Sequence, residues 1–149
     1  MKIHFICSGN TNRSRMAEAY LNSKKIPWLT ATSSGIHADN NLNGPISDYA
    51  KKALEEDGLL IYAKKSWQKT TKEILSKVDI AVFMEQKYFD FVKNELNYVP
   101  PHYVIWNVND VPTDLNGDSE MVKQEKTLAD ENIFNIIKKQ VDQLIIDLK

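Results

Sequence analysis

Apolar residues along this chain fall into two alternating rhythms: short uninterrupted runs, and longer stretches at helical spacing. Ile3 to Cys7 is a run of the first kind, and Met16, Ala19 and Tyr20 then recur at helical intervals. Leu29 to Ser34, with β-branched Thr30 and Thr32, predicts a second strand that Ser33-Ser34-Gly35 closes with turn residues. Ser47 can cap a helix carrying Tyr49, Ala50, Ala53 and Leu54, which Gly58 ends. Thr70 and Glu73 have capping-box spacing at the head of a short helix through Leu75. Asp79 to Met84 reads as a third strand, apolar enough for burial on both faces. Gln86 to Leu96 is an amphipathic helix, and Pro100-Pro101 separates it from a fourth strand, Tyr103 to Val108. A polar loop from Asn109 to about Glu120 leads to a last helix. Its stripe is Ile133, Phe134, Ile136, Ile137, Val141, Leu144, Ile145 and Leu148.

Strands that alternate with helices imply an α/β fold: a parallel sheet with helices on both faces, joined by right-handed crossovers. The chain has 149 residues, which suits one domain over residues 1–149. Ligands of such sheets sit beyond the carboxyl ends of the strands, the edge at which the loops after Cys7 and after Val108 both emerge.

Composition narrows the function. A net charge of −1 gives no global positive field, which argues against nucleic acid and requires any anion to be held locally. Cys7 is the only cysteine; no internal disulfide is possible, and a lone thiol fits the cytoplasm better than an oxidising compartment. No apolar run has the length of a membrane span. His4, His37 and His102 lack metal-ligand spacing and read as ordinary strand or loop residues, and the aromatic and Met positions of the helices read as core.

The candidate chemistry lies between the first strand and the first helix, in Cys7-Ser-Gly-Asn-Thr-Asn-Arg-Ser14. A strand turning through a short loop into a helix aims backbone N–H groups and the positive end of the helix dipole at one spot, which is an anion site. A thiol placed there, beside a guanidinium, is favoured as the nucleophilic thiolate. Arg13 carries a planar fork able to hold two phosphoryl oxygens. Ser14 can donate to the Cys7 sulfur, Gly9 allows close approach of an anion, and Asn10 can brace the loop. Attack on phosphorus also needs a proton donor for the departing atom. Asp110, just past the fourth strand, is the candidate, with Asp114 second.

The run Cys7 to Ser14 resembles the phosphate loop CxGNxCRS of the low-molecular-weight protein tyrosine phosphatases. Met16-Ala17-Glu18 follows as in that family, Ser33-Ser34-Gly35 resembles its SAG turn, Asp79 to Met84 its third strand, and Asp110 sits where its acid loop begins. The resemblance spans essentially the whole chain. It implies a four-stranded sheet of order 2-1-3-4, a phosphocysteine intermediate, Asp110 as acid and then base, and no metal or other cofactor. Ser8, Gly9, Asn10, Thr11, Asn12 and Ser14 would bind the phosphate of a phosphorylated protein or small phosphate ester. Phosphotyrosine in proteins is the substrate this implies first.

Four departures qualify it. Asn12 stands where the family usually has a second loop cysteine, so an oxidised Cys7 has no neighbouring thiol to resolve it. The same lack of cysteines disfavours the related thioredoxin-coupled arsenate reductases. Arg15 stands where proline is usual. Val111 and Thr113 interrupt the usual Asp-Pro-aromatic acid segment, which leaves two alternatives open: a protein that binds phosphate without turnover, and the protein-arginine phosphatase branch that Thr11 resembles.

Overall fold

The computed structural model describes residues 1–40, 44–109 and 120–149, and for 40 and 120–131 the course of the backbone alone. Strand β1 (Lys2–Cys7) is followed by α1 (Arg13–Ser23), β2 (Thr30–Gly35), α2 (Asp48–Glu56), α3 (Lys72–Ser76), β3 (Ile80–Phe83), α4 (Gln86–Glu95), β4 (Tyr103–Ile105) and α5 (Glu120–Leu148). The four strands form one parallel sheet in the order β2-β1-β3-β4, the order implied by the resemblance. Residues 3–7 of β1 are all buried, as a central strand covered on both faces requires.

Side chains alternate across a strand, so β1 sends Ile3, Phe5 and Cys7 to one face and His4 and Ile6 to the other. On the first face lie α1 and α5, which pack together; Tyr20 of α1 meets Phe134 of α5 edge-on at 6.3 Å. Ile137 and Val141 are fully buried there. Each such side chain contributes about 1.5–3 kcal/mol by leaving water. On the second face, Phe89 of α4 packs edge-on to Phe83 at 5.5 Å and stacks on Tyr103 of β4 at 4.5 Å. No helix of the described residues is long and apolar enough to cross a membrane.

Three boundaries differ from the sequence expectation, each for a local reason. The third strand spans Ile80–Phe83 rather than Asp79 to Met84, and the fourth only Tyr103–Ile105 rather than Tyr103 to Val108. The chain nevertheless keeps its course along β3, since Trp106 N donates to Phe83 O at 2.8 Å and Val108 N to Met84 O at 2.9 Å. The cap of α3 is Thr71, whose hydroxyl accepts from Ile74 N at 3.2 Å. Thr70, the expected cap, is buried and turns inward to Ser34 at 2.6 Å. The Ser47 cap of α2 forms as expected, accepting from Ala50 N at 3.1 Å, and Gly58 follows α2 with φ +71°.

Candidate active site

Cys7 ends β1 and Arg13 begins α1, so Ser8 to Asn12 make the whole connection. The carbonyls of this loop are bonded outward. Cys7 O and Ser8 O accept from Ile36 N and His37 N, at 3.0 and 2.8 Å, and Thr11 O accepts from Ser47 N at 3.0 Å. Asn12 O takes the first helical bond from Met16 N at 2.9 Å, and Asn10 O accepts from Arg15 Nη1 at 3.2 Å. A trans peptide points its N–H opposite its C=O. Outward carbonyls at 7, 8, 10, 11 and 12 therefore turn the N–H groups of 8, 9, 11, 12 and 13 toward the middle of the loop. Together with the N-terminus of α1 they form a nest for an anion. Cys7 lies at its base, 3% exposed.

Asn10 sets this shape. It is fully buried with φ +55°, a left-handed conformation that Asn tolerates better than most residues. Its Oδ1 accepts from the backbone N–H of Gln68 at 2.8 Å, which fixes the orientation of the amide, and its Nδ2 donates to Ser14 Oγ at 2.8 Å and Ser33 Oγ at 2.9 Å. Ser14 Oγ also lies 2.8 Å from Cys7 Sγ, a bond in which either atom can donate. The hydroxyl is therefore placed to donate to the sulfur whenever the sulfur carries no proton. Gly9 is less crowded: among the described residues a Cβ there would meet Thr11 Oγ1, at an ordinary 3.6 Å. Gly35 is the tighter glycine, since a Cβ on it would come within 2.5–2.8 Å of the backbone of Ser8, Gly9 and Asn10.

Arg13 is 2% exposed and reaches across to the β3 side of the sheet. Its Nη1 donates to Glu85 Oε2 at 2.6 Å and to Val108 O at 2.8 Å, and its Nη2 to Tyr88 Oη at 2.6 Å. Tyr88 in turn donates to Glu85 Oε2 at 2.9 Å. Burial pushes Glu85 up, but the bonds from Arg13 and Tyr88 outweigh it and hold the carboxylate below its ordinary range. Burial pushes the Tyr88 phenol up, so it remains a donor. A charged guanidinium held by a carboxylate, a carbonyl and a phenol is oriented before any substrate arrives.

Behind the loop, toward β2, lies a polar layer. Ser33 Oγ accepts from Asn10 and donates to Glu18 Oε2 at 2.7 Å, and Lys64 Nζ donates to Ser33 O at 2.6 Å, 3.9 Å from Glu18. Burial raises Glu18, opposed by Lys64, Ser33 and Arg15, and burial brings Lys64 down to about 8. His4 is a strand residue, as the sequence reading has it, and a buried one. It sits between Thr32 Oγ1 at 2.6 Å and Ser34 Oγ at 2.7 Å, and burial brings it down to about 3, so it is a neutral strut.

Cys7, Ser8, Gly9, Asn10, Thr11, Asn12, Arg13 and Ser14 are thus brought together in one loop. Asp110 and Asp114, the acid candidates, lie outside the described residues. Sequence reading missed Glu85, Tyr88, Lys64, Ser33 and Gln68. Glu85 carried a usable signal, since it follows the third apolar run and so stands on the sheet edge where ligands bind. Tyr88 was read as core; its ring is, while its hydroxyl serves Arg13.

This geometry has relatives. The tyrosine phosphatase Wzb from Escherichia coli K30, solved in complex with sulphate, superposes with a TM-score of 0.77 at 16% identity, over 99% of this chain and 98% of that one. A protein-arginine-phosphatase of Bacillus subtilis is 25% identical over 147 residues, 93% of this chain and 95% of its own. Another, from Geobacillus stearothermophilus, is 38% identical over a 58-residue stretch that covers 39% of this chain and 38% of that one. The family model described as low molecular weight phosphotyrosine protein phosphatase matches residues 2–149, and the chain belongs to that family.

Proposed function

We propose that the protein removes phosphate from phosphorylated protein side chains through a cysteinyl-phosphate intermediate. The observation that carries this is the 2.8 Å hydrogen bond between Ser14 Oγ and Cys7 Sγ, at the base of a loop whose carbonyls are bonded outward. The Cys7 thiolate attacks phosphorus while Arg13 and the loop N–H groups hold the three peripheral oxygens. Asp110 gives its proton to the departing oxygen or nitrogen as that bond to phosphorus breaks. Water then attacks the phosphocysteine and leaves its proton on Asp110, and the S–P bond breaks, returning a thiolate that Ser14 stabilises. Asp110 enters by its place in the chain after β4 and by the family resemblance. That the Wzb neighbour was solved in complex with sulphate is in keeping with an anion-binding fold. A cytoplasmic setting, suggested by the lone thiol, suits such a reaction.

Two substrates compete. The family's description and the Wzb neighbour favour phosphotyrosine. Thr11, buried in the loop, and the Bacillus subtilis relative over nearly its full length favour phosphoarginine, whose polar guanidinium a threonine hydroxyl can bond. A purified sample should hydrolyse a small aryl phosphate without added metal and lose that activity in Cys7→Ser; full activity in that variant ends the proposal. Asp110→Ala should lose rate mainly with poor leaving groups, and the same pattern in Asp114→Ala instead would move the acid. Phosphoarginine and phosphotyrosine peptides are then compared on wild type and Thr11→Ile, and an unchanged ratio removes Thr11 from the account of specificity.

A further inference from the structure

Arg15 stands where the family resemblance leads one to expect proline, and the fold puts it to a use that proline does not have. Its side chain is 1% exposed and runs beneath the phosphate loop. Nη1 donates to Asn10 O at 3.2 Å and to Pro45 O, and Nη2 donates to Lys64 O. One guanidinium therefore ties the Asn10 corner of the loop to two separate segments, those before α2 and before α3. Its Nε–H is buried without a hydrogen-bond partner among the described residues, so the residue is retained at a cost.

The segments it ties are joined to the loop elsewhere as well. Ser47 N, at the head of α2, donates to Thr11 O at 3.0 Å, and Lys64 Nζ donates to Ser33 O at 2.6 Å, 3.9 Å from Glu18. Ser33 Oγ in turn accepts from Asn10 Nδ2 at 2.9 Å, so the arginine and the lysine both bear on the Asn10 corner.

We propose that Arg15, backed by Lys64, is a positioning residue for the phosphatase reaction: it fixes the Asn10 corner of the loop and thereby the alignment of the loop N–H groups on the phosphate. This rests on the reaction proposed above. It assigns to a residue in the third position of α1 the setting of a loop that it does not itself enter, shared with a lysine reached through its own backbone carbonyl.

The test compares Arg15→Met, Arg15→Lys and Lys64→Met with wild type. Aryl phosphate turnover is measured, and the affinity for inorganic phosphate is read from thermal shifts. Arg15→Met is expected to lose about tenfold in kcat/KM and to bind phosphate about tenfold more weakly, as a small misplacement of the loop would cause. Arg15→Lys should recover part of both, and Lys64→Met should weaken phosphate binding by less. A lowered melting temperature with wild-type phosphate affinity would make Arg15 purely structural and overturn the proposal. If Arg15→Met does not fold, wild-type phosphate affinity in both Arg15→Lys and Lys64→Met overturns it equally. Absence of turnover in wild type would count against the reaction, whereas unchanged phosphate affinity across the variants counts against Arg15; the two failures are read on different measurements.

Discussion

The two flanks of β1 are built from different materials. Toward β2 the sheet and the loop above it are joined by small hydroxyls and buried ions: Thr32, Ser33, Ser34 and Thr70, with His4, Asn10, Glu18 and Lys64 among them. Toward β4 the joints are aromatic: Phe5 on Trp106 at 5.6 Å, and Phe83, Phe89 and Tyr103 in mutual contact. Hydrogen bonds are directional and fix where an atom lies to within a few tenths of an ångström. Apolar contacts are non-directional and scale with area. The polar flank accordingly sets the shape of the phosphate loop, and the aromatic flank holds the sheet together. Arg13 is the point at which they meet, rooted beside the polar side and anchored on Glu85 and Tyr88.

That division can be broken most forcefully from the aromatic side. Phe89→Ala is expected to cost about 3–5 kcal/mol of stability, measured by urea unfolding, with kcat/KM on an aryl phosphate within about twofold of wild type in the folded protein. A large fall in kcat/KM would show that the aromatic flank shapes the site as well. The opposite signature is expected at Gly35, where a Cβ would drive into the loop backbone. Gly35→Ala should lose about a hundredfold in kcat/KM, the scale associated with displacing a catalytic group by about an ångström.

His4 gives the polar flank a pH dependence of known sign. Its pKa is lowered from 6.5 to about 3 by burial, so between those values the unfolded chain binds a proton that the folded chain does not. Stability from this group is fully present above pH 6.5 and falls with pH by about 1.4 kcal/mol per unit down to about 3. His4→Asn should unfold with a shallower acid dependence in the same urea titrations; equal slopes would remove His4 from the account. The smallest effect is expected at the junction. Tyr88→Phe removes one bond to Arg13 and one to Glu85, and should lower kcat/KM about fivefold, an energy near the 1 kcal/mol of an ordinary hydrogen bond, without changing the melting temperature by more than a few degrees.

The contrast between the flanks also explains what the sequence made legible. The aromatic flank is written in apolar runs, whose period names the element and whose burial follows. The loop from Cys7 to Ser14 is contiguous, so a candidate role could be given to each residue in turn. The polar layer beneath it is not contiguous. Ser33, Lys64 and Gln68 look like surface residues until the crossovers bring them under Asn10, and His4 alternates with apolar neighbours that conceal it. Thr70 and Thr71 show the limit at its finest: either can cap α3, and only the place of Ser34 on β2 decides which turns inward. Glu85 and Tyr88 were hidden for the same reason, as partners chosen by a residue on another strand.

The reach of the bonds around the loop has a consequence for the life of the protein. Asn10 is held by groups 23 and 58 positions away in sequence, and Arg13 by groups 72 and 95 positions away. No fragment that stops short of Val108 can contain the finished nest. A nascent chain would therefore lack the anchored Arg13 until the segment after the last strand has docked, which makes catalytic competence a report on the completeness of the sheet.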